Sequence, residues 1–257
     1  MTTQLNDTKL NYRVHGDGPA VIWLHGFMED LSIWEDIITT IPNKKHVCID
    51  LLGHGRSVTV DQVHDMPLQA LAVKSILQEL NVQEFAIVGH SMGGYVGLQL
   101  LDELSSQCTH FVLFNSTSQA DSKDKKLNRE RAIKIVDQQK DSYARMGVIN
   151  LFSSENRSAF AEEIEDLIKV AQNTSAEGIK AALSGMKVRD DKEKVLKKFT
   201  GQKLIISGIE DPVLLSENSR KEAEKTNSIF VQVDGGHMSY LEAKDQVIEV
   251  LNDFLEV

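Results

Sequence analysis

Short runs of β-branched and aromatic residues alternate along the chain with longer stretches whose apolar positions recur at helical spacing. The strand-like runs are Ala20–Leu24, residues 46–50, 85–88, 110–114 and 203–207, and Ile229–Val233. Between them, residues 32–41, 67–80, 93–104 and 216–225 read as helices. Residues 240–255 carry an apolar stripe of Leu241, Val247, Ile248, Leu251 and Leu255. Near-continuous apolar strands joined by helices predict a mainly parallel sheet covered on both faces, an α/β fold. Residues 8–14 alternate instead, with Leu10, Tyr12 and Val14 on one side, which predicts an antiparallel edge strand.

The alternation stops between residues 120 and 190, a stretch with no strand-like run and no proline. Phe160, Ile164, Leu167, Ile168 and Ala171 mark one side of an amphipathic helix. Thr174 and Glu177 have capping-box spacing ahead of a second apolar set, Ile179, Ala182, Leu183 and Met186. Because this stretch lies between two strand signals, it reads as a helical insertion. Residues 1–119 and 191–257 then form the sheet domain, and 120–190 a cap upon it.

Composition narrows the partners. The 257 residues hold 28 Lys or Arg against 38 Asp or Glu, a net charge of −10. That balance argues against nucleic acid and against an anionic membrane surface as partners. The insertion, with 13 basic and 12 acidic residues, is close to neutral, so the acidity belongs to the sheet domain. Cys48 and Cys108 form no metal-binding spacing, and no apolar run has the length of a membrane span. The first residues lack the basic-then-apolar pattern of a secretory signal, so a cytoplasmic location is the expectation.

Candidate chemistry sits at the strand ends. Gly89-His90-Ser91-Met92-Gly93 follows one strand run and opens a helix run. A serine on such a turn is lifted above the sheet, and the small residues two before and two after it allow the close approach that the turn requires. A hydroxyl needs a base, usually a histidine held by a carboxylate. His237, in Asp234-Gly235-Gly236-His237 after the last strand, is the candidate base. Asp211, in Gly208-Ile209-Glu210-Asp211-Pro212, is the candidate acid, with Glu210 as its nearest competitor. The turn after residues 110–114 reads Asn115-Ser116-Thr117-Ser118 and offers no acid before Asp121. The N–H groups of Phe27 and Met92 are candidate oxyanion donors. Met28, Trp34, Met146, Phe152, Met186, Val213 and Met238 are candidates for an apolar pocket. The other histidines divide into two groups: His25, His54 and His90 as loop-shaping groups, and His15, His46, His64 and His110 as surface or strand-edge residues.

The ordered set formed by HGF (25–27), DLLGHGRS (50–57), GHSMGG (89–94), GIEDP (208–212) and DGGH (234–237) resembles the α/β-hydrolase fold family. The similarity is to its small carboxylesterase-like members with a helical cap, and it covers essentially the whole chain. It implies an eight-stranded sheet with its second strand antiparallel, and a cap inserted between the sixth and seventh strands. It also implies a structural and rim-forming role for residues 50–57. Members that are haloalkane dehalogenases or epoxide hydrolases use an aspartate nucleophile, whereas position 91 is serine. Menaquinone-pathway lyase-like members tend to carry arginine after the paired glycines, where this chain has Tyr95. The expectation is a serine hydrolase acting on small to medium, mostly neutral ester molecules without metal or organic cofactor. A C–C bond hydrolase or lyase using the same residues, or a non-catalytic ligand receptor, are the alternatives.

Overall fold

The computed structural model describes residues 2–5 and 8–256. Eight strands form one sheet: β1 (Thr2–Leu5), β2 (Thr8–His15), β3 (Ala20–Leu24), β4 (Lys45–Ile49), β5 (Phe85–His90), β6 (Cys108–Phe114), β7 (Gln202–Gly208) and β8 (Ile229–Val233). Their order is β1-β2-β4-β3-β5-β6-β7-β8. β2 runs antiparallel to both of its neighbours, and every pair from β4 to β8 is parallel. The alternating segment is therefore antiparallel as its pattern predicts, but it is not the edge. β1 lies outside it, in a Thr-Thr-Gln-Leu segment with no apolar alternation to announce a strand.

Every residue of β3 and β5 is buried, as befits parallel strands covered on both faces. α2 (Met66–Glu79), α3 (Met92–Leu104), α7 (Glu193–Lys198) and α8 (Ser216–Thr226) pack in succession along one layer. A second group covers the opposite face: α1 (Glu35–Ile38), α9 (Ser239–Glu242) and α10 (Lys244–Leu255). It is tied together by a Lys244–Asp36 ion pair and by Trp34 packed on Tyr240. The helix read over residues 32–41 is shorter, a 3-10 turn at Leu31–Trp34 followed by α1. The stripe over 240–255 breaks at Ala243, whose φ of −133° and ψ of 40° are not helical.

Between β6 and β7 the chain forms α4 (Lys123–Ile149), α5 (Ala161–Asn173), α6 (Ala176–Val188) and α7. α4 bends at Gln139 and packs on both α5 and α6. The helix start read at Thr174 lies one residue later. Ser175 is the N-cap of α6 and accepts a hydrogen bond from the Gly178 N–H, while Thr174 closes α5. No helix among the described residues is long and apolar enough to cross a membrane.

Strand register decides what the sheet presents. Leu24 pairs with Gly89, His90 with Phe114, Phe114 with Ile206, and Gly208 with Val233. The turns that follow β3, β5, β6, β7 and β8 therefore emerge side by side along one edge.

Candidate active site

Ser91 sits between β5 and α3 with φ 48° and ψ −113°, a strained conformation for a residue with a side chain. The turn is possible because its neighbours lack side chains. A Cβ on Gly89 would meet the backbone of Gly93 and Gly94, and one on Gly93 would meet the backbone of Leu24. The Ser91 N–H donates to the Phe114 carbonyl at 2.9 Å, and the Ser116 hydroxyl donates to the Ser91 carbonyl at 2.7 Å. The strain is thus held by β6 and the turn after it.

His237 Nε2 lies 2.9 Å from Ser91 Oγ, and His237 Nδ1 lies 2.8 Å from Asp211 Oδ2. A carboxylate only accepts, so Nδ1 carries the hydrogen and Nε2 presents its lone pair to the hydroxyl. Asp211 and His237 are almost fully buried. Asp211 also accepts from Asn115 Nδ2 at 2.8 Å and from the N–H groups of Val213 and Leu214 at 2.7 and 3.0 Å. Burial alone would push its carboxyl up. The facing His237 and the donated hydrogen bonds outweigh burial and hold the carboxyl below its ordinary range. Asn115 occupies the position where the sequence offers no acid. It adopts φ 45°, also donates to the Gly236 carbonyl, and accepts from the Ser239 hydroxyl.

Met92 is the first residue of α3, so its N–H is one of the helix-terminal donors without an intrahelical acceptor. Phe27 lies in the turn after β3, next to Met28 at φ 62°. That turn is held by Glu29, whose Oε2 accepts from the Gly26 N–H at 2.5 Å. The 50–57 loop is tied both within itself and to β2 and the turn after β3. Asp50 accepts from Asn11 Nδ2 and from the N–H groups of Leu31 and Arg56.

The apolar candidates separate. Met28, Phe152, Met186 and Met238 are buried, and Met28 reaches α4 beside Gly147. Trp34 is wholly buried as well, packed on Trp23, Phe114 and Tyr240. Met146 and Val213 are 55% and 40% exposed, and Val213 lines an open cleft with Thr117, Lys125, Arg189 and Leu214. Met146 lies on α4, a helix with few buried positions, so an apolar residue there is no guide to the interior. His46 and His64 are buried rather than at the surface. His46 bridges Trp23 Nε1 and the Ile41 carbonyl, and His64 bridges the Leu52 carbonyl and the Val60 N–H. Sequence reasoning passed over Glu29 and Asn115. The available signals were an acid set between the apolar Met28 and Leu31 just after a strand, and a lone asparagine at a strand's end.

Comparison with known proteins places the fold. The chain is 25% identical over 247 residues to the dihydrolipoyllysine-residue acetyltransferase component of the acetoin cleaving system of Pseudomonas putida. That match takes in 93% of this chain but 64% of the component, so the chain spans less than two thirds of that relative. It is 23% identical to 3-oxoadipate enol-lactonase 1 of Acinetobacter baylyi, over 100% of this chain and 96% of the lactonase. Among solved structures, a thermophilic esterase from Thermogutta terrifontis superposes with a TM-score of 0.92 at 24% identity, covering 99% of this chain and 96% of the esterase. The family model for the alpha/beta hydrolase fold matches residues 19–244. With that match spanning most of its length, the chain belongs to the α/β hydrolase fold family.

Proposed function

We propose that this protein is a serine hydrolase of carboxylic esters, with Ser91 as nucleophile, His237 as base and Asp211 as the acid that orients it. The observation that carries the reading is the unbroken chain Ser91 Oγ–His237 Nε2, His237 Nδ1–Asp211 Oδ2 at 2.9 and 2.8 Å. As Ser91 Oγ attacks the ester carbonyl, its proton passes to His237 Nε2, and Asp211 stabilises the imidazolium. The oxyanion forms against the Met92 N–H at the positive end of α3 and against the Phe27 N–H. The imidazolium then protonates the leaving alkoxide, and the acyl group stays on Ser91. A water gives its proton to His237 and attacks the acyl carbon; His237 then returns that proton to Ser91 Oγ as the acyl–Oγ bond breaks and the acid leaves.

Residues 120–190 serve in this reading as a cap over the site. Support comes from their ties to the histidine loop. The His237 N–H donates to the Leu151 carbonyl at 2.9 Å, and Glu242 accepts from both the Gly236 and the Ser153 N–H. The near-neutral insertion on an acidic sheet domain favours uncharged esters over anionic ones. Two buried free thiols, Cys48 and Cys108, fit a reducing cytoplasm.

The test is hydrolysis of p-nitrophenyl acetate by the purified chain and its Ser91→Ala variant. The reading expects turnover in the first and a loss of about 10⁴-fold or more in the second. Full activity in Ser91→Ala would remove Ser91 from the mechanism. Product analysis separates ester hydrolysis from C–C cleavage or a lyase reaction.

A further inference from the structure

Next to Ser91 lies a second pair of ionisable side chains that the mechanism does not use. Glu29, from the turn after β3, is 3% exposed, and His90, the last residue of β5, is 1% exposed. Glu29 Oε2 accepts from His90 Nδ1 at 3.0 Å as well as from the Gly26 N–H, and Glu29 Oε1 accepts from the Tyr240 hydroxyl at 3.2 Å. His90 Nε2 lies 3.0 Å from the backbone carbonyl of His237. Both ring nitrogens thus face groups that can only accept, a carboxylate and a carbonyl. A neutral imidazole has a single N–H and satisfies one of them; an imidazolium satisfies both. The rings of Phe114, Tyr240 and His237 surround His90, Asp211 acts on it at longer range, and Glu29 is its contacting counter-charge.

A buried ion pair is a poor source of stability, because desolvation of both partners offsets their attraction. Its placement accounts for its presence better. One bond holds Gly26, which precedes Phe27. One partner is His90, which precedes Ser91. The last bond holds the carbonyl of His237 itself. We infer that Glu29 and His90 form a buried carboxylate–imidazolium pair whose function is to position the oxyanion turn and the His237 loop against Ser91. Both are positioning residues, and the inference rests on the proposed roles of Ser91, His237 and Phe27.

Glu29→Gln is the informative variant. Oε2 accepts two donors at once, from Gly26 and His90. If the amide NH₂ takes that place, the Gly26 N–H loses its acceptor. If the amide oxygen takes it, His90 keeps both hydrogens only as an unneutralised buried cation. Either way one of the three held segments is released.

The experiment joins two readouts: nitrogen NMR of the His90 ring at mildly alkaline pH, and kinetics on p-nitrophenyl acetate. Expected are two protonated ring nitrogens on His90 in the wild type and one in Glu29→Gln. The variant's kcat should fall about 10- to 100-fold per active site, with KM within about twofold, as expected for misplaced reacting groups. A singly protonated His90 in the wild type overturns the inference, and that spectrum needs no variant to fold. Wild-type kcat per fluorophosphonate-titrated site in Glu29→Gln also overturns it, since a merely structural pair would lower only the number of folded sites. A failure of the Ser91 assignment is seen separately, as undiminished turnover by Ser91→Ala.

Discussion

Asp211 shows how much of the site's order is set at the level of single residues. Its two oxygens accept four hydrogen bonds, two from backbone and two from the side chains of Asn115 and His237. Replacing one oxygen by an amide nitrogen places a donor among donors. In Asp211→Asn the amide either opposes Asn115 and His237 or turns its NH₂ toward the Val213 and Leu214 N–H groups. If the amide faces His237, the ring is driven to the tautomer whose Nε2 bears hydrogen and cannot take the Ser91 proton. The expected result is a fall of about 10³- to 10⁴-fold in kcat on p-nitrophenyl acetate, with an unchanged circular dichroism spectrum. Activity within tenfold of wild type would mean that another group orients His237. Glu210, the competitor weighed from the sequence, is exposed, whereas Asp211 is buried.

Among the elements, the segments that enter α4 and leave α6 are tied to each other. Arg189, after α6, pairs with Asp121, ahead of α4; it donates to the Gln119 and Met186 carbonyls and lies 3.9 Å over the Tyr95 ring. The Arg189 and Asp121 side chains are 4% and 0% exposed, and Arg129 also pairs with Asp121. Removing one partner of a buried pair costs about 3–5 kcal/mol, and Arg129 keeps the loss near the lower end. Arg189→Met is expected to lower the melting temperature by about 6–12 °C. Pairing it with Asp121→Asn should restore part of the loss; an unchanged melting temperature in the single variant would show that the tie carries no stability. Elements with a one-residue signature were legible in the sequence. β3 matches its apolar run residue for residue, because a strand covered on both faces must be apolar throughout; β8 matches its run as well, although at the sheet's edge only its Val233 is buried. α4 gave no such signal: three buried residues in 27, Val136, Ala144 and Val148, leave no stripe to read. Ser91, Asp211 and His237 could be picked out because each sits where a strand run ends. Glu29 and Asn115 also follow strands, but neither residue type there announces a pairing with His90 or Asp211, 61 and 96 residues away.

Over the whole molecule, buried ionisable groups set a window of pH. His54 is buried and its imidazole is pushed down to about 3, chiefly by desolvation; His46 and His64 are pushed down from the same cause. Their unfolded values near 6.5 mean that the unfolded chain binds these protons first, so stability is lost as pH falls below about 6.5. His90 acts in the opposite sense. Burial lowers its pKa, but Glu29 outweighs burial and raises it, so its contribution is full below about 6.5 and is lost as pH rises through its raised value. Glu29 and Asp211, held low despite burial, contribute above the ordinary carboxylate range and lose that contribution in acid. Urea unfolding across pH should therefore show a maximum near neutrality. Its acid limb should lose about 1.4 kcal/mol per pH unit of slope in His54→Asn, and an unchanged slope would show that His54 is not held neutral. The proposed chemistry turns on one activated hydroxyl. Treating the chain with a fluorophosphonate and mapping the adduct by peptide mass spectrometry tests it most directly. An activated Ser91 predicts one label per chain, on Ser91, abolished by His237→Ala. An unlabelled chain, or a label on any other residue, would contradict it.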